Sequence, residues 1–184
     1  MNIKNTFNVT VIVCVSVLCH CSFLGGPKVT ARISSEDTIR IGVLDFSHQG
    51  SMGISGKLGE YTADRLTSSL FIKKNYNVVD RTIIKAEMVK SKLSPEILDS
   101  EQISILGEAL KADYLIVGDI VELTNQLEDM EEEEAWNMDI SFRILDTRTG
   151  AVKGVVRTQE KGKGEKKVVL GEIIDKMAGS VRIR

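Results

Sequence analysis

The sequence predicts a layered α/β sandwich: a mixed sheet of about five strands with helices packed on it. Three observations carry that expectation. Apolar runs of strand length alternate with segments whose apolar residues recur at helical spacing. The last strand-like runs are joined by a short turn, so they form a hairpin. The chain has 184 residues, 42% of them hydrophobic, enough for one domain with a real core.

The elements follow in order. Thr38 to Ser47 (TIRIGVLDFS) reads as a buried strand, crowded by Ile39, Ile41, Val43, Leu44 and Phe46. Gly50 to Gly56 is a glycine-rich turn. Lys57 to Lys73 is amphipathic, with Leu58, Tyr61, Ala63, Leu66 and Leu70 on one face and Lys57, Glu60, Asp64 and Arg65 largely opposite. Tyr76 to Val79 is a short strand, and Asp80 caps a helix over Arg81 to Lys92. Ser94-Pro95-Glu96 is another helix start. Asp99-Ser100-Glu101-Gln102 has capping-box spacing ahead of Ile103, Leu106 and Leu110. Ala112 to Leu123 is a central strand. Trp136 to Asp146 alternates, with Met138, Ile140, Phe142 and Ile144 on one side and Asp139, Ser141 and Arg143 on the other. Thr147 to Gly150 turns the chain into the return strand, Ala151 to Gln159. Val168 to Val181 is a closing amphipathic helix.

Composition narrows the function. The formal net charge is −2, without the basic excess of a nucleic-acid binder. All three cysteines, Cys14, Cys19 and Cys21, fall in the first 21 residues. The domain that follows therefore has no disulfide, thiolate nucleophile or cysteine metal site.

Residues 1–21 read as an export leader. Lys4 supplies the basic start, and Phe7 to Cys21 is free of charge and mostly apolar. An uncleaved anchor is the alternative, although the stretch is shorter than the ~20 residues a spanning helix needs. Leu18 and Cys21 have the spacing of a lipoprotein signal, with His20 where a small residue is usual. Lipidation at Cys21 is one reading; ordinary signal-peptidase cleavage nearby is the other. Residues 22–37 read as a short linker, and 38–184 as the domain.

Catalytic constellations are weak. Gly50 to Lys57 sits where a phosphate-binding loop would sit, which makes nucleotide binding an alternative function. Ser51 stands where that loop needs its first glycine, and Leu58 where it needs a hydroxyl for magnesium. His48 is expected alone in a loop. Glu128 to Glu134 holds six acids in seven residues, and Lys161, Lys163, Lys166 and Lys167 follow the return strand. These two runs read as solvated loops, or as complementary loops at one end of the sheet. No catalytic residue, cofactor or metal site is expected.

The motifs Ile41-Gly-Val-Leu-Asp-Phe46, Val78-Val-Asp-Arg81, Ala112-Asp-Tyr-Leu-Ile-Val-Gly118 and Leu145-Asp-Thr-Arg-Thr-Gly150 occur in succession. This set resembles the periplasmic domain of the CsgG family, the curli-secretion lipoproteins, and their relatives, the LpoB-type activators of penicillin-binding proteins. The resemblance covers about Ile39 to Arg184. It implies a non-enzymatic α/β domain on the periplasmic face of the outer membrane, held there by a lipid at Cys21. Its work would be done by contacts with an envelope protein, and a homo-oligomer is compatible with it. Arg81 matches the family's arginine, with an implied structural role: pairing with a carboxylate or capping carbonyls. Two departures separate this chain from its relatives' known tasks. An acidic loop replaces the membrane-inserting hairpins of the curli channel, so no pore is expected from this chain alone. The linker of about 15 residues spans at most ~50 Å, too short for a long-reach activator.

Overall fold

The computed structural model describes residues 39–49, 55–94, 98–122, 135–163 and 166–183. The leader and linker, residues 50–54, Pro95–Glu96 and the acidic run lie outside them. The order is β1 (Arg40–Val43), β2 (Ser47–Gln49), α1 (Ser55–Lys74), β3 (Asn77–Val78), α2 (Arg81–Lys90), α3 (Ser100–Leu110), β4 (Tyr114–Glu122), β5 (Ala135–Asp146), β6 (Val152–Lys163) and α4 (Lys166–Ser180).

The strands make one mixed sheet of six, ordered β3-β1-β4-β5-β6, with β2 also paired to β4. β1 runs parallel to β3 and β4, and β2 runs parallel to β4. β4, β5 and β6 form an antiparallel meander.

The sixth strand arises because the first apolar run is broken. At Leu44–Phe46 the chain leaves the regular ladder. The Leu44 amide donates to the Ile116 carbonyl at 3.0 Å, and the Phe46 amide donates to the Gly59 carbonyl at 3.4 Å. Pairing with β4 then resumes, with Ser47 opposite Asp119. His48 is thus on a strand rather than in a loop. Its Nε2 lies 3.2 Å from Glu122 Oε1. More boundaries move: Ser55 and Gly56 belong to α1, Lys161 and Lys163 belong to β6 rather than to a loop after it, and Lys166 and Lys167 open α4.

Helices cover the two sheet faces unequally. On one face, Leu58, Leu66 and Leu70 of α1 and Leu170, Ile174 and Met177 of α4 share a buried cluster with Ile41, Ile116, Ile120, Ile140 and Phe142. On the other, Ile84 and Met88 of α2 and Ile103, Leu106 and Leu110 of α3 join Leu44, Leu115, Val117 and Leu145. Each such side chain contributes ~1.5–3 kcal/mol when fully buried. The second cluster stops at Leu145. Beyond it the same face of β5 carries Arg143, Ser141 and Asp139, as the alternation predicts.

Close approach explains two glycines. A Cβ at Gly59 would collide with the Phe46 carbonyl oxygen, and one at Gly118 with the Phe46 ring. The β5–β6 turn is built by Asp146, whose Oδ1 accepts from the Arg148 and Thr149 amides at 3.0 Å each. Gly150 completes it at φ +67°, a conformation side chains disfavour. Thr147 Oγ1 donates back to the Ala112 carbonyl at 2.7 Å, tying the turn to the entry of β4. The Leu145–Gly150 motif is therefore a folding device.

Candidate functional site

Two arrangements stand out: a charged node at Arg81 and an uncovered strip of sheet on β5 and β6. Asp80 sets up the node by capping α2, its side chain accepting from the Thr82 amide at 2.7 Å. That cap fixes where the next side chain starts. Arg81 reaches back under the β1–β2 link. Its Nη1 donates to the Val43 carbonyl at 2.9 Å, and its Nη2 pairs with Asp45. Its Nε lies 2.6 Å from Asp64 Oδ1 of α1, an ion pair rather than an aligned hydrogen bond. Only 11% of the Arg81 side chain is exposed. Burial lowers its pKa from the ordinary arginine value. One guanidinium therefore joins the end of β1, the middle of α1 and the start of α2. It borders a cleft of about 340 Å³ floored by Leu44, Ile84 and Met88. Lys85 and Glu60, paired at 2.5 Å, also border that cleft.

The uncovered strip follows from register. Arg143 faces Val155, Ser141 faces Arg157, Asp139 faces Gln159 and Asn137 faces Lys161. Ser141 also faces Asp119 of β4, which accepts from Ser47 Oγ at 2.5 Å. Arg157 clamps Asp139, with Nε 2.9 and 3.1 Å from the two carboxylate oxygens. That guanidinium holds Asp139 below the ordinary carboxylate range, and Asp139 in turn raises Arg157. Val152, Val155 and Lys161 are exposed beside them. Among the described residues no hydrophobic cluster reaches Asp139, Ser141 or Arg143, so the strip carries hydrogen-bonding and charged groups; Asn137 at its end is itself buried.

Of the positions singled out from sequence, Arg81 falls within the described residues, whereas Cys21 and Gly50–Ile54 do not. Ser55–Lys57 open α1, and the next residue, Leu58, is buried in the core, so the magnesium-hydroxyl position of a phosphate loop is filled by packing. Sequence reasoning missed Asp45 and Asp64 as partners of Arg81. The Val-Leu-Asp-Phe stretch held Asp45 in plain view, an acid inside an apolar run, and that was the available signal. Among the described residues, no three or more His, Cys, Asp or Glu side chains are grouped to hold a metal, and no helix is long and apolar enough to cross a membrane.

The α/β fold of this domain is shared with solved bacterial proteins. A dodecameric PelC from Paraburkholderia phytofirmans is similar over 84% of this chain and 96% of its own, with a TM-score of 0.56 and 12% identity. The lipoprotein GNA1162 from Neisseria meningitidis is similar over 77% of this chain and 96% of its own, with a TM-score of 0.52 and 13% identity. LpoB from E. coli, solved by NMR, is similar over 69% of this chain and 59% of its own, with a TM-score of 0.50 and 9% identity. At these identities the likeness is one of fold. No protein-family model matches the chain, and no curated protein matches it.

Proposed function

We propose that this chain is a non-enzymatic lipoprotein of the cell envelope, of the CsgG-like class, acting as an accessory or structural component of an export or envelope-assembly system. Residues 1–21 direct export, Cys21 carries the lipid, and residues 22–37 hold the domain close to the periplasmic face of the outer membrane. The domain works by contact with an envelope protein, and Arg81 serves it structurally. The observation that carries this reading is the uncovered β5–β6 strip: an open polar face with Arg143 and Val155 exposed, on a domain whose opposite sheet face is covered by α1 and α4. The shared fold with a lipoprotein and with a dodecamer supports both the anchoring and self-association.

The test is metabolic labelling with a palmitate analogue, joined to crosslinking in the native envelope. Wild type should take up label and Cys21→Ala should not, and crosslinks from the strip should reach a defined protein. An unlabelled wild type ends the lipoprotein reading. Docking on a peptidoglycan synthase is the second reading; the LpoB-like fold favours it, and identification of a synthase in the crosslinks would establish it. A nucleotide-dependent thermal shift would instead revive the Gly50–Lys57 loop as a nucleotide site.

A further inference from the structure

We infer that the free edge of β6 accepts an extended partner segment in which acidic and apolar residues alternate, adding a strand to the sheet. This deepens the protein-contact reading above and rests on it.

Among the described residues, β6 is the last strand of the sheet and pairs only with β5. It is 12 residues long. A terminal strand of that length presents a row of unpaired amides and carbonyls, which proteins normally keep short or cover. The opposite edge, β3, has two residues. The two edges are therefore unequal, and β6 is the one able to template another strand.

Charge selects the occupant. On the outward face of β6 the charged side chains are Arg157 and Lys161, beside Arg143 of β5. Arg157 and the nearby carboxylate, Asp139, engage each other, which leaves Arg143 and Lys161 as the cations open to a partner strand. Pairing of β6 with β6 of a second copy would bring like charges together, so the cations oppose self-pairing and favour an acidic strand. The other face selects something different. Gly154 leaves space above Ile144, and a Cβ there would meet Ile144 no closer than 3.5 Å. A cleft of about 330 Å³ opens at this point; Tyr114, Ile144, Val156, Val181 and Ile183 form its apolar part, and Lys153, Ser180 and Arg182 also line it. A strand laid along β6 sends successive side chains to opposite faces. One set would meet the cations; the other would meet the cleft near Gly154 and Val156 and, further along, Thr158 and Glu160, which bond each other. Residues 152–161 would accommodate about ten partner residues, ~33 Å of extended chain.

The probe is a synthetic decapeptide of alternating valine and glutamate, titrated into the folded chain. Binding should appear together with slowed amide exchange along Val152–Lys161. A peptide of equal charge with proline at alternate positions should bind at least tenfold more weakly, as should a valine–lysine peptide. Arg143→Glu combined with Lys161→Glu should weaken the acidic peptide at least tenfold without lowering Tm. The inference is overturned by absent binding, by equal binding of the proline peptide, by exchange protection confined to the helices, or by a β6-mediated dimer that the peptide cannot enter. Peptide failure with the envelope crosslinks intact removes the edge alone. Loss of the crosslinks themselves removes the reading beneath it.

Discussion

Arg81 at the start of α2 pairs with Asp45 in the link between β1 and β2, and the same guanidinium donates to the Val43 carbonyl. The contact explains how a two-residue β3 and a four-residue β1 hold their place: the charge node braces them from the helix side. Arg81→Ala leaves Asp45 without that partner and the Val43 carbonyl without that donor. A loss of ~3 kcal/mol is expected, in the range for breaking a largely buried pair. Thermal unfolding should show it, with Arg81→Lys intermediate because an ammonium cannot reproduce the fork.

Asp175 on α4 predicts an acid-sensitive helix pair. It accepts from Arg65 Nη2 at 2.6 Å and from Ser69, and lies 3.1 Å from Lys73 Nζ. Burial by itself would raise its pKa, but these donors outweigh burial and hold it below the ordinary 3.8. A depressed carboxylate stabilises the fold above its unfolded pKa and loses that contribution as pH falls through the folded value. Stability should therefore be level above about pH 5 and fall below about pH 4. Asp175→Asn should lower stability at neutral pH and flatten the acid limb, measured by urea unfolding across the range.

Gly118→Ala drives a methyl group into the Phe46 ring. Overpacking of this kind costs ~1–3 kcal/mol. Shortening the ring by Phe46→Leu in the same chain should recover part of the loss. A double-mutant cycle with no coupling would show that the two residues do not collide.

The capping box at α3 has both of its bonds: Gln102 N–H to Asp99 Oδ1 at 2.8 Å, and Asp99 N–H to Gln102 Oε1 at 3.1 Å. Asp99→Ala should cost ~1 kcal/mol in chemical denaturation. Asp99→Ser should cost little.

Local chemistry made much of the fold legible. The Asp99 and Asp80 caps, the Thr147–Gly150 turn and the alternation of β5 each depend on residues close in the chain, and each lies where the pattern placed it. The break at Leu44–Phe46 was hidden, because the apolar run continues through it. What interrupts that strand is the Gly59 carbonyl and the Arg81 guanidinium, 13 and 36 residues further on. The candidate surface was half visible for the same reason. Alternation marked Asp139, Ser141 and Arg143 as one face, but whether helices would cover that face depends on how far α2 and α3 reach across the sheet. The basic residues Lys161 and Lys163 lack apolar alternation, so their run reads as a loop; pairing with Ala135–Asn137 carries β6 through them.

The position of β4 in the sheet also sets an order of events. From β4 to β6 the ladders join neighbours in the chain, so this half can close its contacts early. β1 meets β4 only through pairs such as Ile41 with Tyr114, which are 73 residues apart. Closing so wide a loop is slow and gains its contacts late. The amino-terminal strand is thus expected to enter late, bringing with it β3, whose ladder partner among the described residues is β1. Until it arrives, β4 has an open flank, and nascent chains crowded together at this stage are exposed to pairing with one another.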